Sequence, residues 1–186
     1  MIKILLIGDT HIPRRAKNIP KTLDKCIKSE SPYDYILFTG DLVEEKVLST
    51  LKPLSKNIYV VRGNMDFLNL PEYQVVKIGN VKFGVIHGHQ VYPRGDLEGL
   101  TRIALKLGVD ILVSGHTHNP FATIYTIGGK RVIQLNPGSA TGVWSGGCAS
   151  MIPSYMTAVL YEDTIKVTLY EEHQNKIITK NFLFEV

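Results

Sequence analysis

The sequence predicts an α/β fold of two packed mixed sheets with helices outside, a four-layer α/β/β/α sandwich. Three observations carry this expectation. Apolar runs ending at glycine alternate with helical patterns through the first part of the chain, a strand-turn-strand pattern around Gly79-Asn80 interrupts that alternation, and the last third reads as strands separated by polar breaks. Such mixed β-α and β-β connectivity suits two sheets packed face to face with helices on their outer surfaces.

Ile4-Leu5-Leu6-Ile7 is continuously apolar and ends at Gly8, the mark of a central strand buried on both faces. Leu23, Cys26 and Ile27 recur at helical spacing after Pro20, and Tyr35-Ile36-Leu37-Phe38 is the next apolar run, ending at Gly40. Val47, Leu48 and Leu51 mark a second helix, closed before Pro53 because proline cannot continue it. Ile58-Tyr59-Val60-Val61 is a third strand ending at Gly63, and the runs 75–78 and 81–86 form a hairpin. Leu97, Leu100, Ile103, Ala104 and Leu107 share a helical face capped by Gly108, and Ile111-Leu112-Val113 is another buried strand ending at Gly115. Strand-like runs follow at 122–127, 131–135, 157–161, 164–170 and 176–184, while 141–150 has no clear element and reads as an exposed loop.

A chain of 186 residues fits one domain, residues 1–186, because at this length roughly two-thirds of the unfolded surface can be hidden. With 44% hydrophobic and 20% charged residues, the composition is that of an ordered globular protein. The net charge of +4 is scattered and forms no basic stripe, so nucleic acid is not an expected partner. Cys26 and Cys148 match no disulfide or metal spacing, which suits a reducing compartment and gives Cys26 a packing role. The apolar opening 1–7 is too short for a signal peptide, and no run approaches the ~20 residues a bilayer needs. A cytoplasmic location is expected, with membrane contact only through a partner.

Five strand ends terminate in residues of metal-ligand type: Gly8-Asp9-Thr10-His11, Gly40-Asp41, Gly63-Asn64-Met65-Asp66, His87-Gly88-His89 and Gly115-His116-Thr117-His118. Carboxyl ends of strands in open α/β sheets converge on one crevice, so clusters far apart in sequence can meet there. Taken singly, Asp9 could cap a helix, Asn64 could sit in a turn, and any one histidine could be a satisfied imidazole. Together, Asp9, His11, Asp41, Asn64, His87, His116 and His118 are too many donors for one ion. Their mixture suits two divalent ions such as Mn, Zn or Fe, with Asp41 as the candidate bridging carboxylate.

This ordered set resembles the calcineurin-like metallophosphoesterase family, whose pattern runs Asp-x-His, Gly-Asp, Gly-Asn-His/Cys-Asp/Glu, His, Gly-His-x-His. The resemblance implies that Asp9, His11, Asp41 and His118 hold one ion, and that Asp41, Asn64, His87 and His116 hold the other. One position departs from it. Where many members place a proton-donating histidine after the asparagine, this chain has Met65, and a thioether has no titratable proton. Losing a general acid typically costs about 10²- to 10⁴-fold in rate. His89 is a candidate substitute, although a hydrogen-bonding role beside the ligands is the plainer reading.

A longer likeness runs through 8–13, Ile86 to Val91, Pro93, Gly95-Asp96, 110–118, Asn136 to Gly142 and Ile152-Pro153-Ser154-Tyr155. These stretches resemble the small phosphoesterase-fold subunits of retromer, the endosomal cargo-recycling coat. That resemblance implies a scaffold in endosome-to-Golgi or endosome-to-surface transport, docked on the large helical-solenoid retromer subunit, with further retromer subunits and regulators as partners. Ile12, Pro13, Val91, Tyr92, Pro93 and Ile152 are then the candidate partner-binding residues, since exposed apolar groups rimmed by polar ones mark partner surfaces. The metal site would in that case be catalytically weak or inactive. The alternative is a metal-dependent phosphodiesterase of small phosphate esters.

Overall fold

The first strand, β1 (Ile2–Ile7), buries both of its faces, and that alternation sets the architecture. Ile4 and Leu6 enter one apolar cluster while Leu5 and Ile7 enter another, as a strand with a period of two requires. The computed structural model describes residues 1–186. In chain order its elements are β1 (Ile2–Ile7), α1 (Lys21–Ser29), β2 (Tyr35–Phe38), α2 (Lys46–Leu51), β3 (Ile58–Val60), β4 (Tyr73–Ile78) and β5 (Val81–Ile86). There follow α3 (Leu97–Leu107), β6 (Ile111–Val113), β7 (Phe121–Ile127), β8 (Lys130–Asn136), β9 (Ser154–Leu160), β10 (Thr164–His173) and β11 (Lys176–Glu185).

Two mixed sheets result. The six-stranded sheet runs β11-β10-β9-β1-β2-β3 and the five-stranded one β4-β5-β6-β8-β7. β1 pairs parallel with β2 and antiparallel with β9, which is the mixed connectivity expected. The central cluster takes Ile4 and Leu6 from one sheet and Phe83, Ile111 and Leu135 from the other, so it is the layer between the sheets. Leu23, Ile27, Val47 and Leu51 of α1 and α2 cover the outer face of the first sheet, and Leu100 and Ala104 of α3 cover the second. This is the α/β/β/α sandwich.

α3 shows how local sequence sets its bounds. The Asp96 carboxylate accepts the Gly99 amide at 2.8 Å at the start, and Gly108 ends the helix in left-handed backbone with φ 66°. The β10–β11 hairpin is longer than the apolar runs suggest, since pairing continues to His173 opposite Lys176. Gln174 and Asn175, with φ 51° and 65°, make the two-residue turn whose twist matches the strands. The 141–150 segment is irregular as expected, but only Trp144, Gly146, Gly147 and Cys148 are exposed in it. Its backbone is occupied by the site described next.

Candidate metal centre

β1, β2 and β3 run parallel, as do β5 and β6, and the five strands deliver their carboxyl ends to one edge of the sandwich. The turns beyond them are laced together. The Asp9 amide donates to Gly40 O and the His11 amide to Asp41 O, each at 2.9 Å, and the Gly115 amide donates to His87 O at 2.8 Å. A bond of 2.8 Å between His87 Nδ1 and Thr39 O ties the second sheet to the first.

Within that edge the donor atoms close on one another. One atom each from Asp9, His11 and His118 lies within 4.8 Å of the others, and so does one each from Asp9, Asp41 and His87. Asp9 is common to both groups. Asp41 joins them differently, since its Oδ2 stands 3.4 Å from Nε2 of His11 and 3.4 Å from Nε2 of His87. Asn64 enters through its side-chain oxygen, 3.0 Å from His87 Nε2. His116 is half-buried outside the two compact groups, its ring centroid 5.0 Å from that of His87 and its amide donating to the Asp9 carboxylate. All seven residues expected from the sequence therefore gather at this edge.

The backbone is bent to achieve this. Asp9, His11, Asp41, His116 and His118 all have φ between 47° and 69°, in the left-handed region that side-chain-bearing residues rarely enter. Such conformations cost of order 1–3 kcal/mol each and persist only where surroundings enforce them. Close approach is the other requirement. A Cβ on Gly63 would collide with the Asp41 carboxylate, and one on Gly115 with the side chains of Asp9 and Thr39.

Asp66 is the enforcing group that the sequence pattern did not single out. Its buried carboxylate accepts the amides of Asp41 and Gly63 at 2.8 Å and of Val43 at 2.7 Å, pinning the β2 and β3 turns to each other. Val43, a β-branched residue at φ 75°, is held in strain by that bond. The signal available was the aspartate two residues after Asn64. The carbonyls of Thr39 and Val143, which fix the Nδ1 atoms of His87 and His118 at 2.8 and 2.6 Å, left no sequence signal because any residue supplies a carbonyl.

Burial and the two carboxylates set the protonation of the donors. Burial lowers His11, outweighing Asp41 and Asp9, to about 4, and burial likewise brings His116 to about 4, so both rings are neutral near pH 7. Burial works against ionised Asp41, yet the His87 bond and charge, the Met65 amide and His11 together hold its carboxyl down to about 2. Burial also opposes a charged His87, but the bond to Asp41, the charges of Asp9 and Asp41 and the Thr39 carbonyl raise it to about 9. His11 Nδ1 is buried with no hydrogen-bond partner. Two carboxylates, imidazoles and an amide oxygen are a donor set that fits divalent first-row ions once His87 gives up its proton, and these Asp and His groups can bind metal.

Met65 stands half-buried beside this set, its amide donating to Asp41 Oδ1 at 2.8 Å. His89 does not reach Asp41; its Nε2 lies 4.0 Å from the Glu72 carboxylate and its ring 5.4 Å from that of His87. Among the apolar residues expected at the mouth, Tyr92 is 93% exposed, Pro13 and Pro93 are exposed, and Ile12 and Ile152 are half-buried. Val91 differs from expectation. It is buried against α3 and the Gly99 backbone, where α3 needs an apolar cover, and offers nothing to a partner.

Known proteins match this chain in sequence and fold. A family model described as the calcineurin-like phosphoesterase superfamily domain matches residues 2–158. A probable metallophosphoesterase of Methanocaldococcus jannaschii is 43% identical over 136 residues, 73% of this chain and 67% of that protein. A single-mutant Vps29 of Entamoeba histolytica superposes with a TM-score of 0.90 at 34% identity, over 99% of this chain and 100% of that one. Wild-type Vps29 of the same organism, complexed with zinc, gives 0.86 at 35% identity over 97% and 98%. No helix here is long and apolar enough to cross a membrane. A sandwich whose parallel strand ends bring two carboxylates, an asparagine and four histidines to one edge, matched by the family model over most of its length, places this chain in the calcineurin-like phosphoesterase superfamily.

Proposed function

We propose that the chain, acting as one domain over residues 1–186, is a metal-dependent phosphoesterase whose crevice takes two divalent ions of the manganese, zinc or iron type. Asp9, His11, Asp41 and His118 would hold one, and Asp41, Asn64, His87 and His116 the other. The observation that carries this reading is Asp41 Oδ2, equidistant at 3.4 Å from the nearest nitrogens of His11 and His87. A carboxylate oxygen between two donor sets is what an ion pair about 3.5–4 Å apart needs. The archaeal metallophosphoesterase relative and the zinc complex of the Entamoeba Vps29 support it.

Bound ions of this kind act as Lewis acids on a phosphoryl group and lower the pKa of water. The protein's own part is orientation. Thr39 and Val143 carbonyls take the Nδ1 atoms of His87 and His118, which turns each Nε2 toward the crevice. Met65 offers no proton to a departing alkoxide, so the reading is confined to esters with good leaving groups. Manganese-loaded protein should hydrolyse bis(p-nitrophenyl) phosphate, and Asp41→Ala should abolish turnover. Absence of turnover with manganese, zinc and iron each shown bound would end the proposal.

The full-length likeness to Vps29 structures supports a second role, a retromer-type scaffold in the cytoplasm and on endosomes. Its large partner would be the helical-solenoid subunit, met through the surface around Pro13, Tyr92 and Pro93, with Tyr92 at 93% exposure the natural anchor. Tyr92→Asp should then abolish capture of that subunit while leaving the melting temperature unchanged. Failure of the unmodified chain to capture it would retire this role.

A further inference from the structure

Three successive carbonyls of the 141–150 loop are taken by three different side chains at the mouth of the centre. Val143 O is bonded to His118 Nδ1 at 2.6 Å, Trp144 O accepts from Arg15 Nη1 at 2.7 Å, and Ser145 O accepts from Arg94 Nη1 at 3.1 Å. Arg94 Nη2 also donates to His116 O at 2.6 Å. The loop thus fixes two guanidiniums beside the His116 and His118 turn, and their positive charges contribute to lowering His11 and His116.

Both arginines are exposed, and neither has a carboxylate within 4.0 Å. Among the other arginines Arg62 pairs with Glu72, Arg102 with Glu98, Arg14 lies over the Phe67 ring at 4.8 Å, and Arg131 reaches only the Glu185 carbonyl at 3.4 Å, in β8 and away from the metal centre. A guanidinium presents five N–H donors in a planar fork suited to phosphate, so the one carbonyl bond made by Arg15 and the three made by Arg94 leave donors free on each. Charge balance sharpens the point. With two divalent ions bound, Asp9 and Asp41 leave a positive excess that a singly charged scissile phosphodiester offsets only in part, and the two arginines at the rim add to it without a counter-charge.

We propose that Arg15 and Arg94 form a clamp for a second phosphate of the substrate, so that the preferred ester carries a phosphate group beyond the one being cleaved. The inference rests on the phosphoesterase reading above. Arg15 and Arg94 are then specificity-determining residues, and the 141–150 loop is the strut that anchors each of them beside the mouth.

A matched pair of chromogenic esters tests it: thymidine 5′-(p-nitrophenyl phosphate) with and without a 3′-phosphate, which share base and leaving group. Manganese-loaded protein should favour the 3′-phosphorylated ester by roughly tenfold or more in kcat/KM, as a charge-assisted bond implies. Arg15→Gln and Arg94→Gln should each bring that ratio toward one, mainly through KM, and Arg15→Lys should restore part of it. Because the comparison is a ratio, a general loss from disturbing His116 in the Arg94 variant cancels. Cleavage of both esters with a ratio near one, or a ratio surviving both substitutions, overturns the clamp alone. Cleavage of neither ester by protein that hydrolyses bis(p-nitrophenyl) phosphate also overturns the clamp alone, whereas failure on all three substrates with metal shown bound overturns the phosphoesterase reading and the clamp with it.

Discussion

Nε2 of His11 faces Nε2 of His118 at 3.2 Å, both rings buried. The Val143 carbonyl occupies His118 Nδ1, which leaves His118 Nε2 with a lone pair. If His11 donates from Nε2, its buried Nδ1 becomes a bare acceptor; if it does not, two lone pairs oppose each other. A cation between the rings takes up both Nε2 lone pairs and so removes their opposition. Manganese or zinc should therefore raise the melting temperature. At a hundred times Kd, linkage gives about 2.7 kcal/mol, which for a chain of this size is roughly 5–10 °C. His11→Ala should shrink the shift, and a melting temperature indifferent to both ions would contradict the site.

Met65→His restores a titratable proton next to Asn64. The gain should fall on alkyl phosphodiesters, whose leaving group needs protonation, by roughly ten- to a hundredfold in kcat. p-Nitrophenyl esters should change little. Equal gains on both classes would mean that the histidine acts through binding rather than as an acid.

The stability of chelator-stripped protein should pass through a maximum near neutral pH. His87 is raised on folding, so its contribution is whole below its unfolded value of 6.5 and is lost as pH climbs toward about 9. His11 and His116 are lowered, so folding favours their neutral forms. Their contribution is present above 6.5 and is lost as pH falls toward about 4. Melting temperatures recorded from pH 4 to 9 should fall on both sides of the maximum, and His87→Gln should flatten the alkaline limb. A melting temperature that still rises from pH 7 to 9 in the unmodified protein would run against this sign.

The sheets were legible because burial on both faces writes itself as an unbroken apolar run, as at Ile4 to Ile7, and because glycine marks where each run leaves the sheet. The donor set was legible because only a few residue types bind first-row ions. What stayed hidden was geometry carried by backbone. The Thr39 and Val143 carbonyls have no residue signature, and the left-handed φ of Asp9, His11 and Asp41 is imposed by tertiary contacts against local preference. Val91 misled for a related reason, since an apolar residue beside a metal loop reads alike whether it faces a partner or the underside of α3.

Asp66 separates holding the centre from holding the fold. Its carboxylate takes three buried amides, and Asn at that position keeps the shape but turns one acceptor into a donor facing an N–H. An unpaired buried donor costs about 1–3 kcal/mol, and the strained Asp41 and Val43 turns lose the group that holds them. Asp96→Ala is the fitting comparison. It removes a carboxylate that accepts one amide, at the start of α3, for about 1 kcal/mol of cap stability. Both variants should melt earlier, but only Asp66→Asn should weaken manganese affinity measured by calorimetry at a temperature where each remains folded. Equal affinity in the two would mean that the Asp41 turn keeps its shape unaided, and that the left-handed backbone there is enforced by the sheet edge alone.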